Sequence, residues 1–272
     1  MNIHAKFKFT DILYEKKQGV AWITINRPER LNAFRARTVD ELIDCFKRAW
    51  ASEDVGVISL TGAGDRAFCT GGDQKQRAET GDYGPSESGR FEVEYLHRLI
   101  RAIPKPVIAA VNGYAIGGGH VLHLLCDLTI ATGSAVFGQT GPRVGSFDAG
   151  FGTGYLARVV GEKRAREIWF LCRRYDAHTA ERWGLVNRVV PASELRAETR
   201  QWADEMLRLS PTALRFIKQS FNADTEHLAG IGQLAFSGLR LFVESDEAQE
   251  GVRAFDEKRD PDFSQFRGRV SA

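Results

Sequence analysis

Residues 106–123 have the sequence PVIAAVNGYAIGGGHVLH, and within this stretch the apolar pattern changes from that of a strand to that of a helix. The continuous apolar run at 107–111 is typical of a strand that is buried on both faces, and 118–125 has the pattern of a short helix. Glycines between them allow backbone N–H groups to approach a ligand, and a helix start favours negative charge. The stretch therefore predicts a strand, a turn and a helix whose first amides can bind an oxygen.

A second glycine cluster, FCTGGDQ at 68–74, follows another predicted buried strand, VGVISLTG at 55–62. Two N–H groups from different loops can converge on one oxygen and form an oxyanion hole. For either cluster taken alone, glycines that only permit tight packing of a strand against a helix are an equally good interpretation.

The rest of the chain repeats this alternation of strands and helices. Residues 12–28 predict two strands around a Lys-Gln-Gly turn, and DLTIAT at 127–132 predicts another strand. Residues 38–50 predict an amphipathic helix, with Thr38 and Glu41 at capping-box spacing. From Ser210 onward the pattern is helical, and the polar segment 78–90 predicts a mobile loop. The sequence thus predicts an α/β fold with a helical C-terminal region.

Composition excludes several classes of protein. The 272 residues carry 37 basic and 35 acidic side chains, a balance that does not favour a nucleic-acid partner. The most apolar stretch, 107–131, is interrupted by Asn112 and Asp127, so no membrane span is expected. The N-terminus has no apolar signal segment, and the four dispersed cysteines predict reduced thiols. We therefore expect a cytoplasmic protein.

Three other sequence patterns are typical of a chemical function but are less informative here. His120 and His123 stand three residues apart on the predicted helix, and packed or hydrogen-bonded rings are favoured over a metal pair, so no metal is predicted. Ser146 is not in the Gly-x-Ser-x-Gly context of a serine hydrolase. GAGDRA at 62–67 mimics a dinucleotide fingerprint but opens no helix. None of the three defines the function.

The segment 137–150, FGQTGPRVGSFDAG, has four glycines and a proline but only one acid, Asp148. The glycines predict a wall where the backbone passes close to a ligand. If this wall belongs to an active site, a single carboxylate of the chain is available there for proton transfer. A second group would have to come from elsewhere.

The chain resembles the crotonase (enoyl-CoA hydratase/isomerase) superfamily over essentially its whole length. The motifs that carry the resemblance are INRPERLNAF, AFCTGGD, KPVIAAVNGYAIGGG, CDLTIAT, FGQ and AREIWFLC, in this order. The resemblance implies a spiral of ββα units at 1–205 and a C-terminal helical region at 206–272 that forms the oligomer and covers the active site. It also implies a homotrimer or homohexamer.

The superfamily stabilises a thioester enolate with two backbone N–H groups, which the resemblance assigns here to Gly72 and Gly118. Hydratases of the superfamily add two glutamates, and the matching positions are Val121 and Gly141. Because neither residue can transfer a proton, simple hydration of an enoyl-CoA is disfavoured. The reactions left open are those of the superfamily that do not use these two glutamates.

Two enzyme families within the superfamily are the most similar. GGDQ, GGGHVLH and 137–150 resemble the 1,4-dihydroxy-2-naphthoyl-CoA synthases, which close a ring by a Claisen-type condensation. GVAWITINRP and RVVGEKRAREIW resemble at least as well the 2-ketocyclohexanecarboxyl-CoA hydrolases, which open a ring by the reverse chemistry. Both families have a C-terminal tyrosine where this chain has Val243, so the choice stays open. A non-catalytic CoA-binding member is a further alternative.

The resemblance also implies the site residues. Asp148 would be the proton-transfer acid, Tyr83 a loop residue at the reacting group, and a bicarbonate held at Gly141 would replace the missing carboxylate. The predicted binding residues for acyl-CoA, the expected substrate in the absence of a tightly bound cofactor, are Arg35, Thr70, Gly71, Asp73, Gln74, Tyr114, Ala115, Ile116, Gly117, Gln139, Thr140, Ser146 and Lys258. Arg35 and Lys258 are the expected partners of the CoA phosphates.

Overall fold

The computed structural model describes residues 9–270. Its strands are β1 Ile12–Lys17, β2 Val20–Ile25, β3 Val57–Gly62, β4 Ala67–Cys69, β5 Val107–Val111, β6 Tyr114–Ile116, β7 Leu128–Thr132, β8 Val136–Gly138, β9 Arg174–Asp176 and β10 Arg188–Val190. Its α-helices are α1 Ala36–Ala51, α2 Gln74–Thr80, α3 Val93–Ala102, α4 Gly118–Leu125, α5 Leu156–Val160, α6 Glu162–Leu171, α7 Ala177–Arg182, α8 Leu195–Leu207, α9 Pro211–Ala223, α10 His227–Phe242 and α11 Asp246–Asp256.

The strands form two sheets, with orders β1-β2-β3-β5-β7-β10 and β4-β6-β8-β9. Pairing is parallel except between β1 and β2 and between β8 and β9. Three times in succession, a strand of the larger sheet is followed by one of the smaller sheet and then by helix: β3-β4, β5-β6 and β7-β8. This repetition is the predicted crotonase-like spiral of ββα units, and the α/β prediction is confirmed.

Both faces of the larger sheet are buried, as the apolar run at 107–111 predicts. Alternating residues of β5 contribute to two separate clusters: Val107 and Ala109 pack on one face and Ile108 and Ala110 on the other. Helix α8 covers the second face through Leu195 and Ala203. Burial on both sides explains why these strands lack the alternation of apolar and polar residues seen in half-exposed strands.

Most local predictions are confirmed. The Lys-Gln-Gly turn joins β1 to β2 with positive φ at Gln18 and Gly19, and Ser210 caps α9 by accepting a hydrogen bond from the Ala213 amide. The capping box of Thr38 with Glu41 was wrong, because α1 begins at Ala36 and Thr38 lies inside its first turn. Glu41 instead accepts hydrogen bonds from the backbone amides of residues 10–12.

The C-terminal helices approach the segment 144–152 with almost no side chain between the backbones. A Cβ built on Gly145 would lie 2.0 Å from the carbonyl oxygen of Ala248, on α11, and one on Gly150 would lie 2.6 Å from the Cα of Gly232, on α10. Only glycine permits such contacts. The two helices are therefore held directly against the segment that carries Asp148.

A buried lysine ties α9 to the sheet. The Nζ of Lys218 donates to the carbonyl oxygens of Ile100 and Lys105 at 3.2 and 3.0 Å and to Asp127 Oδ2 at 2.7 Å. Its side chain is 7% exposed. Removing the ammonium group would take this donor from the two carbonyl oxygens and would leave Asp127 Oδ2 with only the Val107 amide, at 2.8 Å.

We expect Lys218→Met to lower the free energy of unfolding by about 2–4 kcal/mol, since it removes a donor from two carbonyls and the paired charge from the Asp127 carboxylate. Urea unfolding followed by circular dichroism measures this. Lys163→Met, at an exposed position of α6, is the control and should change stability by less than about 0.5 kcal/mol. Equal stability of both variants would contradict the assigned role of Lys218.

Candidate active site

One cavity, of about 670 Å³, collects most of the predicted site residues. Its walls come from the loops after β4, β6 and β8, from α3 and from α10 and α11. The predicted residues that line it are Thr70, Gly71, Gly72, Asp73, Gln74, Tyr83, Tyr114, Ile116, Gly117, Gly118, Gln139, Thr140, Gly141, Ser146 and Asp148. A volume of this size is typical of a site for a small organic ligand.

The two glycine clusters meet in this cavity. A Cβ built on Gly71 would lie 2.9 Å from the amide nitrogen of Gly118, so the two loops are in direct contact. Gly118 is the first residue of α4, and its N–H has no acceptor within the helix. In residues 9–270 no acceptor is recorded for the Gly72 amide either. Both amides are therefore available to a ligand, while their convergence on one oxygen stays a prediction.

Asp148 presents its two carboxylate oxygens to different surroundings. Oδ1 accepts hydrogen bonds from the amides of Gly150 and Gly152, at 3.1 and 3.2 Å. These amides are available because a π-helical turn at Phe151–Tyr155 begins there and leads into α5. Oδ2 has no hydrogen bond among the described residues, and the side chain is 13% exposed. One oxygen is thus fixed by the backbone and the other is left for chemistry.

A buried arginine that the sequence patterns did not single out supports the same segment. Arg77, on α2, is 5% exposed and donates to the carbonyl oxygens of Val144 and Gly145, both at 3.2 Å. The contact joins residues almost seventy positions apart, so local spacing gives no sign of it. Arg77 positions the wall that leads to Asp148.

His97 was also missed. It lies on α3 and lines the cavity, with its Nδ1 3.8 Å from Asp148 Oδ2 and its ring 5.9 Å from that of Phe236. Burial lowers the pKa of His97, while the negative charge of Asp148 acts in the opposite direction. Val93, Leu96 and Ile100 share its helix face, so a histidine on an apolar face was the signal that could have identified it.

Gln139 is oriented by a second buried histidine. Its Nε2 lies 3.3 Å from Nδ1 of His120, a ring with no exposed surface. Burial lowers the pKa of His120 to about 4, so the ring is neutral and Nδ1 can accept the hydrogen bond. His123 is packed nearby against Thr129 Oγ1 at 3.2 Å. The two histidines are packed as expected, and the described residues contain no cluster of three potential metal ligands.

Two lining residues are occupied by contacts within the chain. Asp73 caps α2 through the Gln76 amide and pairs with Arg27 at 2.9 Å, so its carboxylate is a structural group. Tyr83 stacks on Phe91 with ring centroids 4.7 Å apart, and its hydroxyl accepts a hydrogen bond from Gln74 at 3.3 Å. This contact places Tyr83 directly over Gly72.

Three predicted residues do not line the cavity. Arg35 forms a fork with both oxygens of Asp11, at 2.8 and 2.9 Å. Burial alone would raise the pKa of Asp11, but the hydrogen bonds from Arg35 and Thr38 lower it. Ala115 is fully buried in β6, and Lys258 follows the end of α11. The structure therefore does not bring Arg35 and Lys258 to the ligand cavity.

Other cations stand at the cavity wall instead: Arg30, Arg66, Lys75 and Arg174. No ion pair is recorded for any of them in the described part of the chain. Arg66, Lys75 and Arg174 are exposed, and Arg174 lies over the ring of Tyr114. Their unneutralised charge suits an anionic ligand group. Sequence reasoning missed them because they come from four separate segments of the chain that only the fold brings together.

Neither hydratase position carries an acid. Val121 is fully buried in α4. A Cβ on Gly141 would lie 2.7 Å from the carbonyl oxygen of Ser146, so the side-chain direction is closed by backbone and offers less room than expected. Thr140 and Ser146 both line the cavity, and no hydrogen bond is recorded for either hydroxyl among the described residues.

The four cysteines are unpaired, as predicted, and three are buried. No helix in residues 9–270 is both long and apolar enough to cross a membrane.

Comparison with known proteins places the chain in a family. The family model described as "Enoyl-CoA hydratase/isomerase" matches residues 15–267. The solved structure of an enoyl-CoA hydratase from Mycobacterium avium subsp. paratuberculosis K-10 is 30% identical, covers 94% of this chain and 99% of its own, and has a TM-score of 0.83. An enoyl-CoA hydratase from Bacillus anthracis is 31% identical, with coverages of 93% and 99% and a TM-score of 0.72.

A carnitinyl-CoA hydratase from Mycobacterium avium is similar to the same degree, at 29% identity, coverages of 94% and 98% and a TM-score of 0.82. The chain thus matches relatives with different named substrates over nearly their full lengths. With this family match, the repeated ββα units and the glycine-lined cavity, the chain belongs to the enoyl-CoA hydratase/isomerase family, the crotonase superfamily.

Proposed function

We propose that this protein is an enzyme that makes or breaks a carbon–carbon bond next to the thioester carbonyl of an acyl-CoA, through an enolate. One observation carries the proposal: Asp148 has a free carboxylate oxygen in the cavity that Gly72 and Gly118 line, while positions 121 and 141 carry no acid. Hydration of a double bond by two carboxylates is therefore disfavoured, because both carboxylates are missing. Enolate chemistry with a single acid needs two amide donors and one carboxylate, for which Gly72, Gly118 and Asp148 are the candidates.

In this mechanism the thioester oxygen accepts hydrogen bonds from the Gly72 and Gly118 amides. Their dipoles, together with the positive end of α4, stabilise the charge that develops on that oxygen. Asp148 Oδ2 removes or returns the proton at the adjacent carbon. Loss of one such donor typically costs about 3–4 kcal/mol of transition-state stabilisation, so the two amides account for much of the activation of that carbon.

Ring closure of the naphthoyl-CoA type is the first candidate. The enolate carbon would attack a carboxyl carbon in the same substrate, forming the carbon–carbon bond and releasing water. Aromatic and aliphatic side chains on the cavity walls suit an aryl substrate: Phe91, Phe147, Trp169, Phe236, Leu239 and Phe255. The sequence motifs shared with the synthases support this candidate.

Hydrolytic ring opening is the second candidate, and the apolar end of α10 is compatible with it. Water would add to a ring ketone, the carbon–carbon bond would break, and the resulting thioester enolate would receive a proton from Asp148. Val243 follows α10, and its neighbour Phe242 packs on Phe147 with ring centroids 5.5 Å apart. Phe147 lines the cavity, so this contact places apolar side chains at and behind the wall, which suits an alicyclic ring.

Several further expectations remain proposals. Bicarbonate would supply a weak base, held by the hydroxyls of Thr140 and Ser146.

A homotrimer or homohexamer is supported by apolar side chains that α9 and α10 expose, among them Phe221, Leu234 and Leu241. Such exposed apolar surface is typical of a subunit contact. The cytoplasmic location and the predicted division at 205/206 stay predictions.

Asp148→Asn should lower kcat by about 10²–10⁴-fold with little change in KM, because the amide keeps the shape but not the proton transfer. The assay measures turnover of o-succinylbenzoyl-CoA, 2-ketocyclohexanecarboxyl-CoA and a 2-enoyl-CoA. Asp65→Asn, in an exposed turn, is the control. Efficient hydration of the enoyl-CoA by the wild-type protein would overturn the proposal, as would tight CoA binding without any turnover.

Removal of bicarbonate tests the anion. In degassed buffer, turnover should fall and should recover when bicarbonate is added, since the chain offers no second carboxylate at position 141. Thr140→Val, which removes one hydroxyl, should raise the bicarbonate concentration needed for half-maximal recovery. Full turnover in degassed buffer would show that the reaction needs no such anion.

The double variant Arg66→Gln/Arg174→Gln should raise KM for the acyl-CoA by about tenfold or more and leave kcat within about twofold, because the phosphates lie far from the reacting carbon. The effect should shrink at high salt. Arg98→Gln, exposed on α3 outside the cavity, is the matched control. If Arg35→Gln raised KM and the double variant did not, the original phosphate assignment would be restored.

A further inference from the structure

His97 differs from the other two buried histidines in its hydrogen bonding. His120 and His123 each have one ring nitrogen in contact with a polar partner, Gln139 or Thr129. Both nitrogens of His97 are buried and have no hydrogen-bond partner among the described residues. Leaving a buried polar atom unpaired costs about 1–3 kcal/mol, so two on one ring call for an explanation.

The relation of His97 to Asp148 accounts for one of these two nitrogens, Nδ1. The 3.8 Å between His97 Nδ1 and Asp148 Oδ2 is too long for a hydrogen bond, so neither group satisfies the other. Both residues line the cavity. A ligand oxygen or a water at hydrogen-bond distance from each would satisfy both atoms at once. The pair therefore has the geometry of two groups that serve one reacting atom.

The surroundings of His97 keep its ring neutral until a proton is delivered. Asp148 is the one ionisable side chain recorded against it among residues 9–270. From α10 it meets the apolar ring of Phe236, and Arg101, one turn along α3, binds Asn222 and Thr225 instead. A neutral imidazole beside a carboxylate can accept a proton, and the carboxylate then stabilises the imidazolium.

We propose that His97 is the second proton-transfer group of the site and that it exchanges a proton with Asp148 during the reaction. The proposal rests on the carbon–carbon chemistry proposed above, and it serves both candidates in opposite directions. In ring opening, water gives a proton to His97 as its oxygen bonds to the ketone carbon. The proton passes to Asp148 Oδ2 and then to the enolate carbon when the carbon–carbon bond breaks.

In ring closure the order is reversed. Asp148 takes the proton from the carbon next to the thioester, and the proton passes to His97. The enolate carbon bonds to the carboxyl carbon, and the departing hydroxyl takes the proton and leaves as water. One proton thus moves through the same two groups in each reaction, so no net proton is taken up or released.

The test compares His97→Asn with His97→Leu in bicarbonate-containing buffer, on whichever ring substrate the wild-type protein converts. Neither asparagine nor leucine can carry the proton, so both variants should lose about 10²-fold or more in kcat with KM nearly unchanged. Asparagine keeps an N–H donor close to the position of Nδ1, so its loss of activity would not be due to a missing hydrogen bond. His123→Asn, buried on the neighbouring α4 but outside the cavity lining, is the matched control. A His97→Asn variant with kcat within threefold of wild type would reduce His97 to a structural role.

A measurement without turnover separates this inference from the proposed function. In protein with ¹⁵N-labelled histidine, the pKa of His97 should fall when Asp148 is changed to Asn, because the neighbouring negative charge is lost. An unchanged pKa would overturn the pairing. Full activity of Asp148→Asn would instead overturn the proposed function, and an inactive Asp148→Asn beside an active His97→Asn would overturn only the role of His97.

Discussion

The hydrogen bonds from the Gly150 and Gly152 amides to one oxygen of Asp148 are the interaction around which the site is arranged. They fix which oxygen remains free, and they exist only because the chain enters a wide turn at this point. The contacts that hold this segment in place therefore also position the Asp148 carboxylate. Arg77 binds it from α2, and the glycine contacts with α10 and α11 hold it from the C-terminal side. The carboxylate is positioned by backbone rather than by neighbouring charges.

The parts of the structure that the sequence predicts well are those governed by local rules. The buried strand at 107–111 and the helix at 118–125 follow from periodicity, and Ser210 followed by proline marks the start of α9. The cavity walls were predictable through the two glycine clusters and the resemblance. Long-range partnerships were not, because nothing near Arg35 in the chain shows that Asp11 binds its guanidinium. Arg66 and Arg174 reach one cavity wall only after the sheets have formed.

Position 141 lines the cavity as predicted, but the expected physical reason for its glycine is not the observed one. Glycine there was expected to leave space, yet the Ser146 carbonyl occupies the side-chain direction. The glycine serves the close approach of two backbone segments, and any anion has to lie beyond them. His97 is the reverse case, a cavity residue that was not predicted. A histidine on an apolar helix face is usually a packed residue. Its two unpaired nitrogens and the carboxylate at 3.8 Å became apparent only in three dimensions.

The docking of α10 and α11 has a consequence for biosynthesis. Phe236, Leu239 and Phe255 line the cavity, and they belong to helices that are translated after the ββα units. Chains grow from the N-terminus, so the ββα units are able to assemble while these helices are still untranslated. A nascent chain at that stage has both glycine loops and Asp148 but lacks the part of the cavity wall that α10 and α11 supply. The enclosure of the cavity is therefore a late event in biosynthesis, because it waits for helices that dock on a core translated before them.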